Sequence, residues 1–318
     1  MRYVLRADAS QSMGAGHVMR SSAIAEELIR RGEDVTFVGQ ISDLNWVKER
    51  VASLGFTHVY SDSSEFISNS RSDVLILDSY EIHEKDPFIA QQNWCHIIAV
   101  VDDITPGYSC TLRVHPGLDS DWTGNSKTPI LSGPRYIPFR SSLANNMYFA
   151  NQEIHKLKIA VVAGGSDSFN LVYAITEILK TFPDEFEVVL FSNSNFNSTL
   201  DSRFRCFKLG QEFDELTKDV DLILTTASTT SLESLARGLC VGIACAVDNQ
   251  QQYYKILGEL NVASQFGFRS SENKWILDKQ KIYSLLTSSK LRENLKLNAK
   301  GLIDFKGAKR IVDAITAL

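Results

Sequence analysis

The chain has 318 residues, 44% of them hydrophobic and 22% charged, with a net charge of -5 and a pI near 5.7. That length exceeds what one hydrophobic core usually serves, so two domains of roughly 150 residues each are expected, and the composition excludes a disordered chain. The acidic balance gives no field attractive to polyanions, which argues against nucleic acid or an anionic membrane as the main partner.

Five cysteines, Cys95, Cys110, Cys206, Cys240 and Cys245, are odd in number and scattered, so they read as reduced and mostly structural. No CxxC pair or Cys/His cluster with zinc spacing occurs, and the six histidines are dispersed, so no metal and no cofactor are expected. The chain opens on the strand-like YVLRAD, and no run of about 18 apolar residues marks a membrane span. A soluble cytoplasmic protein without membrane insertion is the expectation, with a monomer as its simplest state.

Short apolar runs bounded by turns alternate with segments of helical period, the signature of parallel βαβ units. In the first half strands are expected at residues 3–6, 35–38, 58–60, 74–77 and 97–101, with helices at 17–31 and 44–54. The periodicity fades over 136–156, which reads as an interdomain connection. It then restarts, with strands at 158–162, 188–191, 206–209, 222–224 and 241–244 and helices at 171–181 and 230–237. From residue 278 onward the period is helical. The expected layout is an N-terminal Rossmann-like domain over 1–140 and a second over 157–304, with a last helix at about 305–318 free to pack back on the first.

The segment RADASQSMGAGHVMRSSAIAEEL carries a strand ending at Asp8 and a loop with Gly14 and Gly16 that enters a helix near His17. Glycines let the backbone approach a ligand, and the unpaired amides and dipole of a helix N-terminus favour a phosphate or another anion. The third glycine of a dinucleotide fingerprint and the lysine of a P-loop are both missing, which weakens NAD and ATP. His17 then stands at the strand carboxyl ends, where open α/β sheets bind ligands. There an imidazole can take a proton from attacking water, although packing against the loop would use the same residue.

Asp78 and Tyr80 end the strand VLILDSY, and Asp102 and Asp103 end IIAVVDD, so polar groups collect at the edge that holds His17. Aspartates after buried strands orient a base or hold sugar hydroxyls, and they equally cap the next helix. In the second half Gly164, Gly165, Ser166 and Asp167 form a further glycine turn. Ser228, Thr229, Thr230 and Ser231 stand at a helix entrance suited to a diphosphate, with Glu233 read as lying in the first turn, where it caps the helix or reaches a ribose. Asn249 and Gln250 follow the strand VGIACAV, where amides can read donors and acceptors on a sugar, or simply build a turn.

Taken in order, RADAS, GAGHVMRSSAIAEEL, LDSY, VDD, GPRYIPFR, AGGSD, STTSLESLARG, VDNQ and DFKGAKRIVDAI span nearly the whole chain. With them the chain resembles the inverting UDP-2,4-diacetamido-2,4,6-trideoxy-β-L-altropyranose hydrolases of pseudaminic acid biosynthesis, which are similar to GT-B glycosyltransferases. The glycine and histidine segment with its arginine, Arg20, is the most specific piece.

The resemblance implies an α/β GT-B-like fold of two Rossmann-like domains whose parallel sheets face across a cleft. It implies a small-molecule UDP-sugar as partner, its sugar in the N-terminal half and UDP in the C-terminal half, and metal-independent hydrolysis with inversion. His17 would activate the water, and Tyr80 and Asn249 would face the sugar. Ser231 and Glu233 would meet the diphosphate and ribose. We take His17, Asp78 and Tyr80 as the catalytic set. Asp8, Gly14, Gly16, Arg20, Asp103, Gly164, Gly165, Ser228, Thr230, Ser231, Glu233, Asn249 and Gln250 are taken as substrate-binding. The chain departs from the family pattern at RVHPGLDS, with His115 and Pro116, at GGSDS, and at Leu232, which stands where tryptophan is common. A glycosyltransferase with a UDP-sugar donor, and a non-catalytic nucleotide-sugar-binding protein, are the rival readings.

Overall fold

Runs rich in Val, Ile and Leu become strands here because both faces of each sheet are covered, so apolar residues need not alternate with polar ones. The computed structural model describes residues 1–61, 66, 73–102, 105–124, 127–146, 156–164, 167–183, 185–192, 200–208 and 213–318. Among them lie two seven-stranded sheets. The first contains β1 (Arg2–Ala7), β2 (Asp34–Val38), β3 (His58–Tyr60), β4 (Asp73–Asp78), β5 (Trp94–Val100), β6 (Leu112–His115) and β7 (Ile130–Ser132). Their order is β3-β2-β1-β4-β5-β6-β7, and every pairing is parallel. Helices α1 (Gly16–Arg30), α2 (Asn45–Ala52) and the short α3 (Pro87–Ala90) belong to the same part of the chain.

The second sheet repeats this plan with β8 (Leu157–Val162), β9 (Phe186–Phe191), β10 (Phe204–Phe207), β11 (Leu222–Thr226), β12 (Cys240–Cys245), β13 (Ser264–Arg269) and β14 (Trp275–Leu277). Its order is β10-β9-β8-β11-β12-β13-β14, with β14 alone antiparallel to its neighbour among these strands. The accompanying helices are α4 (Leu171–Leu179), α5 (Phe213–Leu216), α6 (Thr229–Ala236), α7 (Gln251–Glu259), α8 (Lys279–Thr287) and α9 (Ser289–Ala299).

The chain divides into two compact units: Met1–Ser141 with Asp304–Leu318, and Ser142–Ile303. The last helix, α10 (Gly307–Ile315), is therefore part of the first unit, where it packs on α1. Its first residue is glycine for want of room, since a Cβ on Gly307 would stand 2.0 Å from the Ile137 carbonyl oxygen. Ile311, Val312 and Ile315 of α10 join Val18, Ile24, Ala25 and Leu28 of α1 over Leu5 and Ile76 of the sheet. Val4, Leu75, Leu77 and Ala99 pack on the opposite face with Phe66 and Phe88. Ile311→Ala is expected to lower unfolding free energy by about 2–5 kcal/mol, the usual cost of truncating a fully buried aliphatic side chain. A urea titration of the full chain, followed by near-UV ellipticity, measures it.

Helix α1 fixes the site, and the local sequence sets its ends. It stops where Gly32 takes a φ of +82°, with the Glu33 amide donating to the Leu28 carbonyl at 3.1 Å, the left-handed helix stop that glycine permits. It starts at Gly16, one residue before His17.

Candidate active site

In the first sheet the chain runs outward from β1 to β2 and β3, then returns to start again at β4 on the other side of β1. Loops from adjacent strands separate at such a reversal and leave a crevice at the strand carboxyl ends. His17 follows β1 on the first turn of α1, Asp78 is the last residue of β4, and Asp102 lies just beyond β5. Three distant stretches of chain thus deliver their polar residues to one point.

There the His17 Nδ1 is 2.6 Å from Asp78 Oδ1. Arg20, one helical turn beyond His17, donates from Nε to Asp78 Oδ2 at 2.7 Å and from Nη2 to Oδ1 at 2.7 Å. The hydroxyl of buried Ser21 donates to Oδ2 at 3.1 Å, so both Asp78 oxygens carry two partners. Arg20 also donates from Nη1 to Asp102 Oδ1 at 2.6 Å. The Tyr80 hydroxyl donates to Asp102, and the Tyr80 ring meets the His17 ring edge-on, centroids 4.6 Å apart at 87°. His17, Asp78, Arg20, Asp102 and Tyr80 form a closed loop of contacts.

Electrostatics decide the protonation pattern. Burial alone would raise the Asp78 carboxyl, but the charge of Arg20, then His17, and their hydrogen bonds hold it well below the usual carboxylate range. Asp102 is likewise raised by burial and lowered more by Arg20 and by the Tyr80 hydroxyl. Burial, followed by the neighbouring Asp102 charge, pushes the Tyr80 phenol up, so it stays a donor. An ionised Asp78 can only accept, so whenever the His17 ring is neutral its hydrogen lies on Nδ1 and its lone pair on Nε2. The Arg20 Nη2 that stands 3.3 Å from Nδ1 is a donor facing a donor, a close positive charge rather than a hydrogen bond.

Among the other expected site residues of the first unit, Arg20, Gly14 and Asp8 are engaged within the fold. Arg20, expected to bind substrate, spends its guanidinium on two internal carboxylates. The Gly14 amide donates to the Ser10 carbonyl at 2.7 Å inside its own turn, so it is taken rather than offered to an anion. Gly16 opens α1, and its amide is among the first-turn donors that a helix leaves without an internal acceptor. Asp8 pairs with Arg6 at 2.5 Å and accepts from the Gln40 amide at 2.7 Å, apart from the His17 group. Asp103 and Gly165 lie outside the described residues. Asp102, adjacent to Asp103, is the partner that sequence reasoning did not select.

The second unit places its polar turn at the equivalent reversal, between β8 and β11. A Cβ on Gly164 would lie 3.7 Å from both Thr226 Oγ1 and Ser228 Oγ, and those two hydroxyls are 3.0 Å apart. Ser228 is the N-cap residue of α6 without a side-chain cap bond, and Thr230 is half-buried on its first turn. Ser231 is instead fully buried, its hydroxyl donating to the Ser228 carbonyl at 2.7 Å. Glu233 is the fifth residue of α6, one turn later than expected, and so is not placed as a capping residue. Asp167 accepts from the Leu171 and Val172 amides at the start of α4, and burial pushes its carboxyl up to about 6. Beyond β12, Asn249 is exposed, while Gln250 Oε1 accepts from the Ala246 amide at 2.9 Å.

Among the described residues no group of His, Cys, Asp and Glu side chains has the arrangement of a metal site. No described helix is long and apolar enough to cross a membrane. No family model matches the chain. The uncharacterized protein MJ1062 of Methanocaldococcus jannaschii is 25% identical over 280 residues, which cover 80% of this chain and 57% of that protein. This chain thus spans a little over half the length of the relative it matches. Among solved structures, the calicheamicin glycosyltransferase CalG4 is similar with a TM-score of 0.66 at 14% identity, covering 100% of this chain and 98% of that one. The fold is GT-B. A putative UDP-N-acetylglucosamine 2-epimerase from Listeria monocytogenes is similar to the same degree, with a TM-score of 0.67 at 12% identity over 100% and 96% of the two chains. The GT-B architecture of two predominantly parallel sheets is thereby shown over the full chain.

Proposed function

We propose that this chain displaces a nucleoside diphosphate from the anomeric carbon of a nucleotide sugar, with His17 as the base. The observation that carries the proposal is the His17 to Asp78 contact, which puts the imidazole lone pair on Nε2. In the reaction a hydroxyl or water oxygen bonds to the anomeric carbon as the bond from that carbon to the phosphate oxygen breaks. The attacking proton goes to Nε2, and the diphosphate leaves with the electron pair, so the configuration inverts. In the second unit, the first-turn amides of α6, with Thr226 and Ser228 beside Gly164, suit a diphosphate, since a helix N-terminus favours an anion.

Two oxygens can play the nucleophile, and each has an observation in its favour. The fold is shared with glycosyltransferases, which favours an acceptor hydroxyl. The ordered motifs favour water, UDP as the leaving group, and an amino or deoxy sugar. Incubating the full chain with UDP-sugars separates the readings by chromatography of released UDP. UDP release without acceptor supports hydrolysis. Release that needs an added hydroxyl acceptor supports transfer. Binding of UDP with no turnover under either condition overturns the enzymatic reading.

A further inference from the structure

The pair of His17 and Asp78 does not stand alone, and the groups around it have a charge balance that a base requires. Among the described residues the charged or titratable groups facing it are Arg20 from α1, Tyr80 beyond β4 and Asp102 beyond β5, with Tyr108 near Asp78. With the imidazole neutral, Asp78, Asp102 and Arg20 together carry a net charge of minus one. Taking up a proton at His17 brings that group to neutrality, so each neighbouring charge bears on the step.

We propose that Arg20 and Asp102 are positioning residues that set the charge balance at His17, Arg20 by offsetting Asp78 and Asp102 by holding Arg20 against that carboxylate. The catalytic meaning of the role rests on His17 being the base. The geometry divides the work. Arg20 grips Asp78 through two nitrogens, which fixes the carboxylate that orients the imidazole, and its Nη2 opposes positive charge on the ring from 3.3 Å. Asp102 accepts from the remaining Arg20 nitrogen and also from Tyr80, whose ring packs at right angles to that of His17. Neither residue has to touch the reacting atoms. Without Arg20, two carboxylates beside the ring would hold a proton on it. Without the Asp102 charge, Arg20 would oppose protonation more strongly.

The two variants therefore act in opposite senses, which a merely structural pair would not do. In Arg20→Gln the acid limb of kcat/KM moves to higher pH, and in Asp102→Asn, which keeps an oxygen for the Tyr80 hydroxyl, it moves to lower pH. Each shift is expected to be about one unit, the scale of one neighbouring charge gained or lost. The His17 ring is followed in parallel by 15N NMR of the full chain, with its signals identified by their loss in His17→Gln. Opposite displacement of the ring titration in the two variants supports the proposal. No displacement, or displacement in one common direction, overturns it. Should Arg20→Gln fail to fold, the Asp102→Asn displacement alone decides, downward in support and otherwise against. Opposite displacements without turnover on any nucleotide sugar would uphold the charge arrangement and remove the proposed activity.

Discussion

Replacing His17 by Asn is expected to lower kcat/KM for the nucleotide sugar by about 10²–10⁴-fold while UDP still binds, the range over which a positioned general base acts. The argument is geometric. His17 is 8% exposed, its Nδ1 is committed to Asp78, and the Asn amide that replaces it has no comparable lone pair to accept a proton. Because the helix amides proposed to hold the diphosphate belong to the other unit, calorimetric titration with UDP should change little. Turnover within threefold of the parent would remove His17 from the reaction.

The second large effect is expected at Asp78, in both activity and stability. In Asp78→Asn the new NH₂ group must face either the Nδ1 hydrogen or an Arg20 donor. The ring escapes that conflict by moving its hydrogen to Nε2, which removes the base and lowers turnover by about 10²–10⁴-fold. Losing the charge also leaves Arg20 with one carboxylate, so about 3–5 kcal/mol of stability is expected to go, as when one partner of a buried ion pair is removed.

The pH dependence of stability follows with a definite sign. Asp78 and Asp102 titrate lower in the fold than in the open chain, so their contribution is complete above the ordinary carboxylate range, about pH 4, and is lost as pH falls toward their folded values. Thermal melts of the parent should fall steeply below that pH, and Asp78→Asn should fall less. Parallel profiles would sink the assignment of Asp78 as an ionised, internally bonded group.

Much of this arrangement is legible in the sequence. Continuous apolar runs ending in acidic residues gave away β4 and β5, and the glycine loop before His17 gave away a strand, a turn and a helix, because those features are local. Strands β6, β7, β13 and β14 were not anticipated. They are three to six residues long, and QFGFR in β13 carries a glycine where the pairing register shifts. Their place depends on neighbours far along the chain. Helix α7 was missed too, since its glutamines and tyrosines leave just Leu257 fully buried.

The site was half legible for the same reason. His17, Asp78 and Tyr80 could each be singled out at a sheet edge. That Arg20 points inward follows from Asp78 and Asp102 lying 58 and 82 residues away, which no spacing encodes. Choosing between Asp102 and its neighbour Asp103 required the direction of one carboxylate beyond β5. The inward turn of Ser231 is a consequence of its hydroxyl bonding three residues back, an option open to any helical serine.

The place of α10 has a consequence for how the molecule comes into being. Residues 142–303 are one uninterrupted stretch and can close their interior as soon as they leave the ribosome, whereas residues 1–141, which emerge before them, lack a wall until Ile311, Val312 and Ile315 arrive. Synthesis thus runs counter to assembly: of the two units, the one begun before the other is completed after it, with the apolar flank of α1 bare in the meantime. Chaperone dependence and loss to aggregation are therefore expected to be governed by that delayed closure.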